Sequence, residues 1–180
     1  MAETSAPWLQ PLPAATRLIF CGDEVAERAL LAALALPAPP AVCRGISSGG
    51  NSALWLGPDE RLLLAPAEGR AALIAGLEAA VAPHAHSLVD VSHRQASFEL
   101  RGPLSALLLN SQCPLDLGPA AFPVGMCTRT VFSKAEIVLW STAPETFHLE
   151  VWRSFADYVV TLLFTVAREY RLAALPQNQH

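Results

Sequence analysis

Residues 126–170 read MCTRTVFSKAEIVLWSTAPETFHLEVWRSFADYVVTLLFTVAREY, and the period of the apolar pattern changes once within them. Residues 126–132, 135–140 and 147–152 are short runs rich in β-branched and aromatic side chains, joined at Ser133-Lys134 and across 141–145. They predict a meander of three antiparallel strands. Beyond them Phe155, Tyr158, Val159, Leu162, Leu163, Val166 and Tyr170 recur at helical spacing, and Ser154 with Asp157 resembles a capping box. A helix is expected there, running to about Leu172. Strands joined by tight turns and backed by an amphipathic helix define an α+β chain with antiparallel sheets.

The same reading extends toward the start. Gly102-Pro103 opens a short helix carrying Leu104, Leu107 and Leu108. Before it, Ser87 to Val91 and Gln95 to Arg101 are extended runs, the second alternating Ala96, Phe98 and Leu100 against Ser97, Glu99 and Arg101, as a strand with one wet face would. Glu68 begins a helix with Leu73, Ile74, Leu77 and Val81 on one side, ended by Pro83. Strand segments around Val42 and Ile46, at 52–56 and at 61–65 precede it, the last two flanking Gly57-Pro58-Asp59-Glu60. Asp23 is placed to cap a helix that the prolines from Pro37 onward stop, and a strand at 16–21 comes before it. The order is strand, helix, three strands, helix, two strands, helix, three strands, helix: two βαββ-type units in succession. The expected division is an extended arm over 1–13, a first α+β unit over 14–101, a second over 102–172 packed on the first, and a tail over 173–180.

Composition narrows the function. At 52% hydrophobic and only 16% charged, the chain buries a sizeable core and has few charges to cover its surface, which predicts a partner-covered face and self-association of the isolated chain. A net charge of −4, with basic residues scattered singly, excludes a nucleic-acid or membrane-surface protein. The start lacks a signal-peptide pattern and no run is long enough to span a bilayer, so a cytoplasmic protein is expected. Cys21, Cys43, Cys113 and Cys127 show no Cys-x-x-Cys spacing and are expected as buried thiols.

No catalytic constellation emerges. Gly45-Ile46-Ser47-Ser48-Gly49-Gly50 lacks the lysine of a phosphate loop, and no Gly-x-Ser-x-Gly elbow occurs. His84 and His86 form the one close histidine pair, without further ligands to complete a metal site. Two polar clusters remain as candidate interface or ligand contacts: Ser92, His93 and Arg94 within Asp90–Arg94, and Trp152 with Arg153, where Glu150, Arg153 and Asp157 would form an ion-pair network. Arg and Trp are over-represented at contact centres.

The segments Trp55-Leu56-Gly57-Pro58-Asp59-Glu60 through Pro66, Asp90-Val91-Ser92-His93-Arg94-Gln95, Leu100-Arg101-Gly102-Pro103, Cys113-Pro114-Leu115-Asp116-Leu117, Lys134-Ala135-Glu136 and Glu150 through Tyr158 resemble, in order, the gamma subunit of heterotetrameric sarcosine oxidase. The resemblance covers about Ala14 to Leu172. Arg61 departs from it, standing where the family more often has an aromatic residue. The resemblance implies a fold similar to the folate-binding domains of the glycine cleavage T protein. It also implies a place beside alpha, beta and delta subunits in a complex that oxidatively demethylates sarcosine to glycine and passes the one-carbon unit to tetrahydrofolate. FAD, FMN, NAD, tetrahydrofolate and zinc are implied for those partners, and none for this chain, whose expected role is structural, within an oxidoreductase, with no catalytic, cofactor-binding or metal-binding residue of its own. The rival expectation is an independent folate or small-molecule binding module using Ser92, His93 and Arg94; a free-standing aminomethyltransferase is weaker, since no acidic residue matches that enzyme's catalytic aspartate.

Overall fold

The computed structural model describes residues 8–37 and 42–170. The elements are β1 (Leu9–Pro11), β2 (Ala15–Gly22), α1 (Glu24–Ala33), β3 (Gly45–Ser48), β4 (Asn51–Trp55), β5 (Glu60–Pro66), α2 (Arg70–Val81) and β6 (His86–Asp90). They continue as β7 (Gln95–Arg101), α3 (Ser105–Asn110), β8 (Cys127–Phe132), β9 (Ala135–Ala143), β10 (Thr146–Trp152) and α4 (Arg153–Glu169). From β2 onward this is the expected order of a mixed chain with antiparallel sheets. The chain divides into two compact units. Among the described residues one holds 14–37, 42–93 and 125–128, the other 8–13, 94–124 and 129–170.

The first unit is a sheet of order β3-β4-β5-β2-β6 with two helices. The β2–β5 register sets Leu18 opposite Leu63 and Phe20 opposite Arg61, so these four share one face. Leu18, Phe20 and Leu63 join Leu30 and Leu31 of α1 and Leu77 and Val81 of α2 in one apolar core. Asp23 caps α1 as expected, accepting from the backbone N–H of Val25 at 3.0 Å and of Ala26 at 2.9 Å. Gly22 is required by proximity: a Cβ there would lie 2.6 Å from the Phe20 ring and 3.2 Å from the Ala26 methyl. Helix α2 starts at Arg70, after a left-handed Gly69, rather than at Glu68.

Arg61 is the polar exception on that packed face. It is 5% exposed, donates to the Glu27 carboxylate through Nε at 2.6 Å and Nη2 at 2.7 Å, and gives Nη1 to the carbonyls of Gly57 and Glu60. Its guanidinium carbon also lies 5.9 Å from the centroid of the Trp55 ring. A bidentate pair with two further carbonyl acceptors satisfies a desolvated guanidinium, and it ties α1 to the hairpin of β4 and β5.

The second unit has the order β1-β7-β10-β9-β8. β10 pairs with β9 and, over its whole length from Thr146↔Arg101 to Trp152↔Gln95, with β7. This ladder corrects the expected boundary after residue 101, since β7 is bonded to the strands of the later half. Residues 125–128 conversely group with the first unit, where the Gly45 N–H donates to Gly125 and the Cys127 N–H to Cys43. The expected arm is also modified: Leu9 to Pro11 pair with Leu100 to Phe98, and Trp8 packs edge-on against Phe164 at 5.1 Å, while residues 1–7 lie outside the described residues.

Two side-chain expectations are modified here. The polar side of β7 is wet only toward its end: Arg101 is exposed and Glu99 half-buried, whereas Ser97 and Gln95 are buried, and Glu150, opposite Ser97, is 1% exposed. Alternation reports which residues share a face, not whether that face is covered. In α4 the buried stripe is Val159, Val160, Leu163, Phe164, Val166 and Ala167, so Phe155, Tyr158 and Tyr170 lie outside it. No side chain caps this helix, which begins at Arg153 after Trp152 and takes Ser154 into its first turn.

Removing one partner of the Arg61–Glu27 pair strands the other, so Arg61→Met should lower stability by about 3 kcal/mol in urea denaturation. Glu27→Leu combined with Arg61→Met should recover most of that loss. A second expectation concerns His86, whose Nε2 lies 3.1 Å from Glu78 Oε2. Bonding to the His84 carbonyl, then to Glu78, raises its pKa. Its stabilising contribution is therefore complete below the usual imidazole value of about 6.5 and fades as pH rises through the elevated one. Denaturation midpoints of wild type and Glu78→Gln should converge between about pH 6 and 8.

Candidate subunit interface

The β7–β10 ladder ends at Gln95↔Trp152, and the backbone N–H of Arg153 donates to the carbonyl of Arg94 at 2.9 Å. The registry therefore brings Arg94, Trp152 and Arg153 to one place. The Arg94 guanidinium carbon lies 5.3 Å from the centroid of the Trp152 ring, a stacked cation–π arrangement. Both arginines are exposed, and among the described residues neither guanidinium has a carboxylate within ion-pairing distance. The expected network of Glu150, Arg153 and Asp157 does not form. Glu150 is buried in the sheet with His148 Nε2 at 2.8 Å from its Oε1.

One helical turn on, Phe155 and Tyr158 contact each other with centroids 6.5 Å apart. The Tyr158 hydroxyl donates to Ser133 Oγ at 2.9 Å, which fastens the first turns of α4 to the β8–β9 turn. Trp152, Phe155 and Tyr158 are 41%, 40% and 38% exposed, so three aromatic rings within seven residues face outward. Rings left out of a core that has room for Leu163 and Phe164 are surface available to another molecule. Helical spacing assigned Phe155 and Tyr158 to the core. The signal that separates them is the width of the stripe, because Val159, Val160, Leu163, Phe164, Val166 and Ala167 already fill one face.

Ser92 and His93 belong to the other unit and do a different job. Ser92 N–H donates to Asp90 Oδ1 at 2.9 Å, its hydroxyl donates to the same oxygen, and its Oγ accepts from the Arg17 N–H at 3.0 Å. The Ser92 hydroxyl, aided by Arg70 at 3.7 Å, holds the Asp90 pKa below the usual carboxylate range. This is an Asx turn closing β6 onto β2. His93 is exposed. Nothing in that turn forms a nucleophile–base pair.

His84 and His86 do not converge on a metal: His86 Nδ1 faces the His84 carbonyl at 2.9 Å while its Nε2 faces Glu78. Among the described residues no group of three His, Cys, Asp or Glu side chains could hold an ion. All four cysteines are free; Cys113 and Cys127 are buried as expected, whereas Cys21 and Cys43 are partly exposed. Burial pushes the Cys127 thiol up to about 12, so it stays protonated and donates to the Trp55 carbonyl at 3.4 Å. No described helix is long and apolar enough to cross a membrane.

The model of the sarcosine oxidase, gamma subunit family matches residues 17–169. The sarcosine oxidase subunit gamma of Corynebacterium sp. (strain P-1) is 36% identical over 135 residues, 75% of this chain and 65% of that protein, so the match spans just under two thirds of the relative's length. A chain of the heterotetrameric sarcosine oxidase from Corynebacterium sp. U-96, solved with pyrrole 2-carboxylate, superposes with a TM-score of 0.84 at 29% identity, covering 93% of this chain and 87% of its own. The glycine cleavage system aminomethyltransferase T from Bartonella henselae matches with a TM-score of 0.66 at 15% identity, over 92% of this chain and 48% of its own, a likeness of fold alone. By the family match across 153 residues and the sequence identity, the chain belongs to the sarcosine oxidase gamma subunit family.

Proposed function

We propose that this chain is the gamma subunit of a heterotetrameric sarcosine oxidase, serving assembly, and that it docks on its neighbours through the face formed by Arg94, Trp152, Arg153, Phe155 and Tyr158. The observation that carries the docking reading is the outward set of three aromatic rings flanked by two guanidiniums that have no carboxylate partner among the described residues. Membership in the gamma family supports the rest. In this reading the complex demethylates sarcosine oxidatively to glycine and passes the one-carbon unit to tetrahydrofolate in the cytoplasm. The alpha, beta and delta partners carry NAD, FAD, FMN, the folate site and zinc, which supply hydride, electron and one-carbon chemistry. This chain's residues supply packing and contact surface. Ser92 supports that division of labour, since its hydroxyl is committed to Asp90 and Arg17 rather than offered to a ligand.

Co-expression tests the proposal. Produced with alpha, beta and delta partners, the chain should co-purify in a flavin-containing complex, and the paired substitution Phe155→Ser, Tyr158→Ser should reduce its recovery at least about tenfold, as loss of hot-spot aromatics does. Sarcosine turnover by the purified chain alone would refute it.

A further inference from the structure

Arg94 and Arg153 are drawn together by the backbone bond between their residues, although like charges at short range repel. Four other exposed or half-exposed arginines have acidic partners, Arg28 with Glu24, Arg70 with Asp90, Arg101 with Glu99 and Arg129 with Glu136, while Arg44 and Arg168 have none among the described residues. Arg94 and Arg153 have none among the described residues, and Asp157, the one acid between Arg153 and Leu163, is not in ion-pairing contact with Arg153. Lys134, also exposed, follows the Ser133 that accepts from Tyr158. Stacking on Trp152 restrains the Arg94 guanidinium while leaving in-plane N–H donors for a planar bidentate acceptor.

We propose that this face receives an acidic segment of a neighbouring subunit, one that presents carboxylates to Arg94 and Arg153 beside a large apolar side chain lying against Phe155 and Tyr158. The inference rests on the docking reading above and adds the chemistry of the occupant. Charge complementarity selects it: a locally cationic patch on a chain of net charge −4 favours a short-range carboxylate partner over an extended polyanion, which the rest of the chain repels. The exposed rings require apolar area that a phosphate backbone does not offer.

Calorimetry of the full chain with the complex of its remaining subunits, at about 50 and about 500 mM salt, reads the proposal because screening weakens rim ion pairs and spares apolar contact. Wild-type affinity should fall with salt. Arg94→Gln with Arg153→Gln should bind about tenfold more weakly at low salt and lose most of that salt dependence. Phe155→Ser should weaken binding similarly at both salts. If the glutamine variant keeps wild-type affinity and slope while Phe155→Ser is impaired, the acidic occupant is wrong and the docking face stands. If neither variant differs from wild type, the docking face itself is wrong. If the glutamine variant abolishes only self-association, measured by light scattering, the occupant is a second copy and the proposal is overturned. Circular-dichroism melts of both variants, altered only at exposed side chains, establish that each is folded.

Discussion

The antiparallel ladder between β7 and β10 is the constraint from which the rest of the second unit follows. Seven successive pairs, from Thr146↔Arg101 to Trp152↔Gln95, leave no freedom in where the chain enters α4. Side chains on a strand alternate with a period of two, so a slip by one residue would send Leu149 and Val151 to the polar side and Glu150 into the apolar one. The same ladder sets Arg153 against the backbone of Arg94 and brings Arg94 over the Trp152 ring. Fold and surface are thus one decision: the hydrogen bonds that close the sheet also assemble the exposed guanidinium and aromatic groups.

Much of this was legible in the residues. The three-strand meander, the caps and turns of the first unit, and the amphipathic last helix follow from local periodicity and turn chemistry, and the observed order of elements after β1 matches that reading. Pairing partners were less legible. Gln95 to Arg101 looks like a strand by itself, but nothing in its seven residues says that it bonds to a segment some fifty positions later rather than to its predecessor. The aromatic face is hidden in the sequence for a related reason. Spacing in α4 offers more apolar residues than one stripe can bury, and only the sheet beneath selects Val159, Val160 and Leu163 over Phe155 and Tyr158. Arg94, Trp152 and Arg153 were visible as candidates by residue type; their convergence required the ladder. Ser92 and His93, their neighbours in sequence, turned out to close a turn.

Arg61 shows how a local departure is absorbed. Where the resemblance calls for an aromatic ring, the guanidinium keeps contact with an aromatic neighbour, Trp55, and satisfies its charge on Glu27 and two carbonyls. Its alkyl stem occupies the packed face opposite Phe20. The outcome is a specific bond between helix and hairpin at a position where a ring would have given only apolar contact.

The hydroxyl bond from Tyr158 to Ser133 bears on how fast another molecule could settle here. With that ring fastened to the β8–β9 turn and Arg94 restrained on Trp152, the surface loses little rotameric freedom on contact. Recognition then resembles rigid-body docking, with encounter frequency set by the local cationic field rather than by rearrangement of the chain.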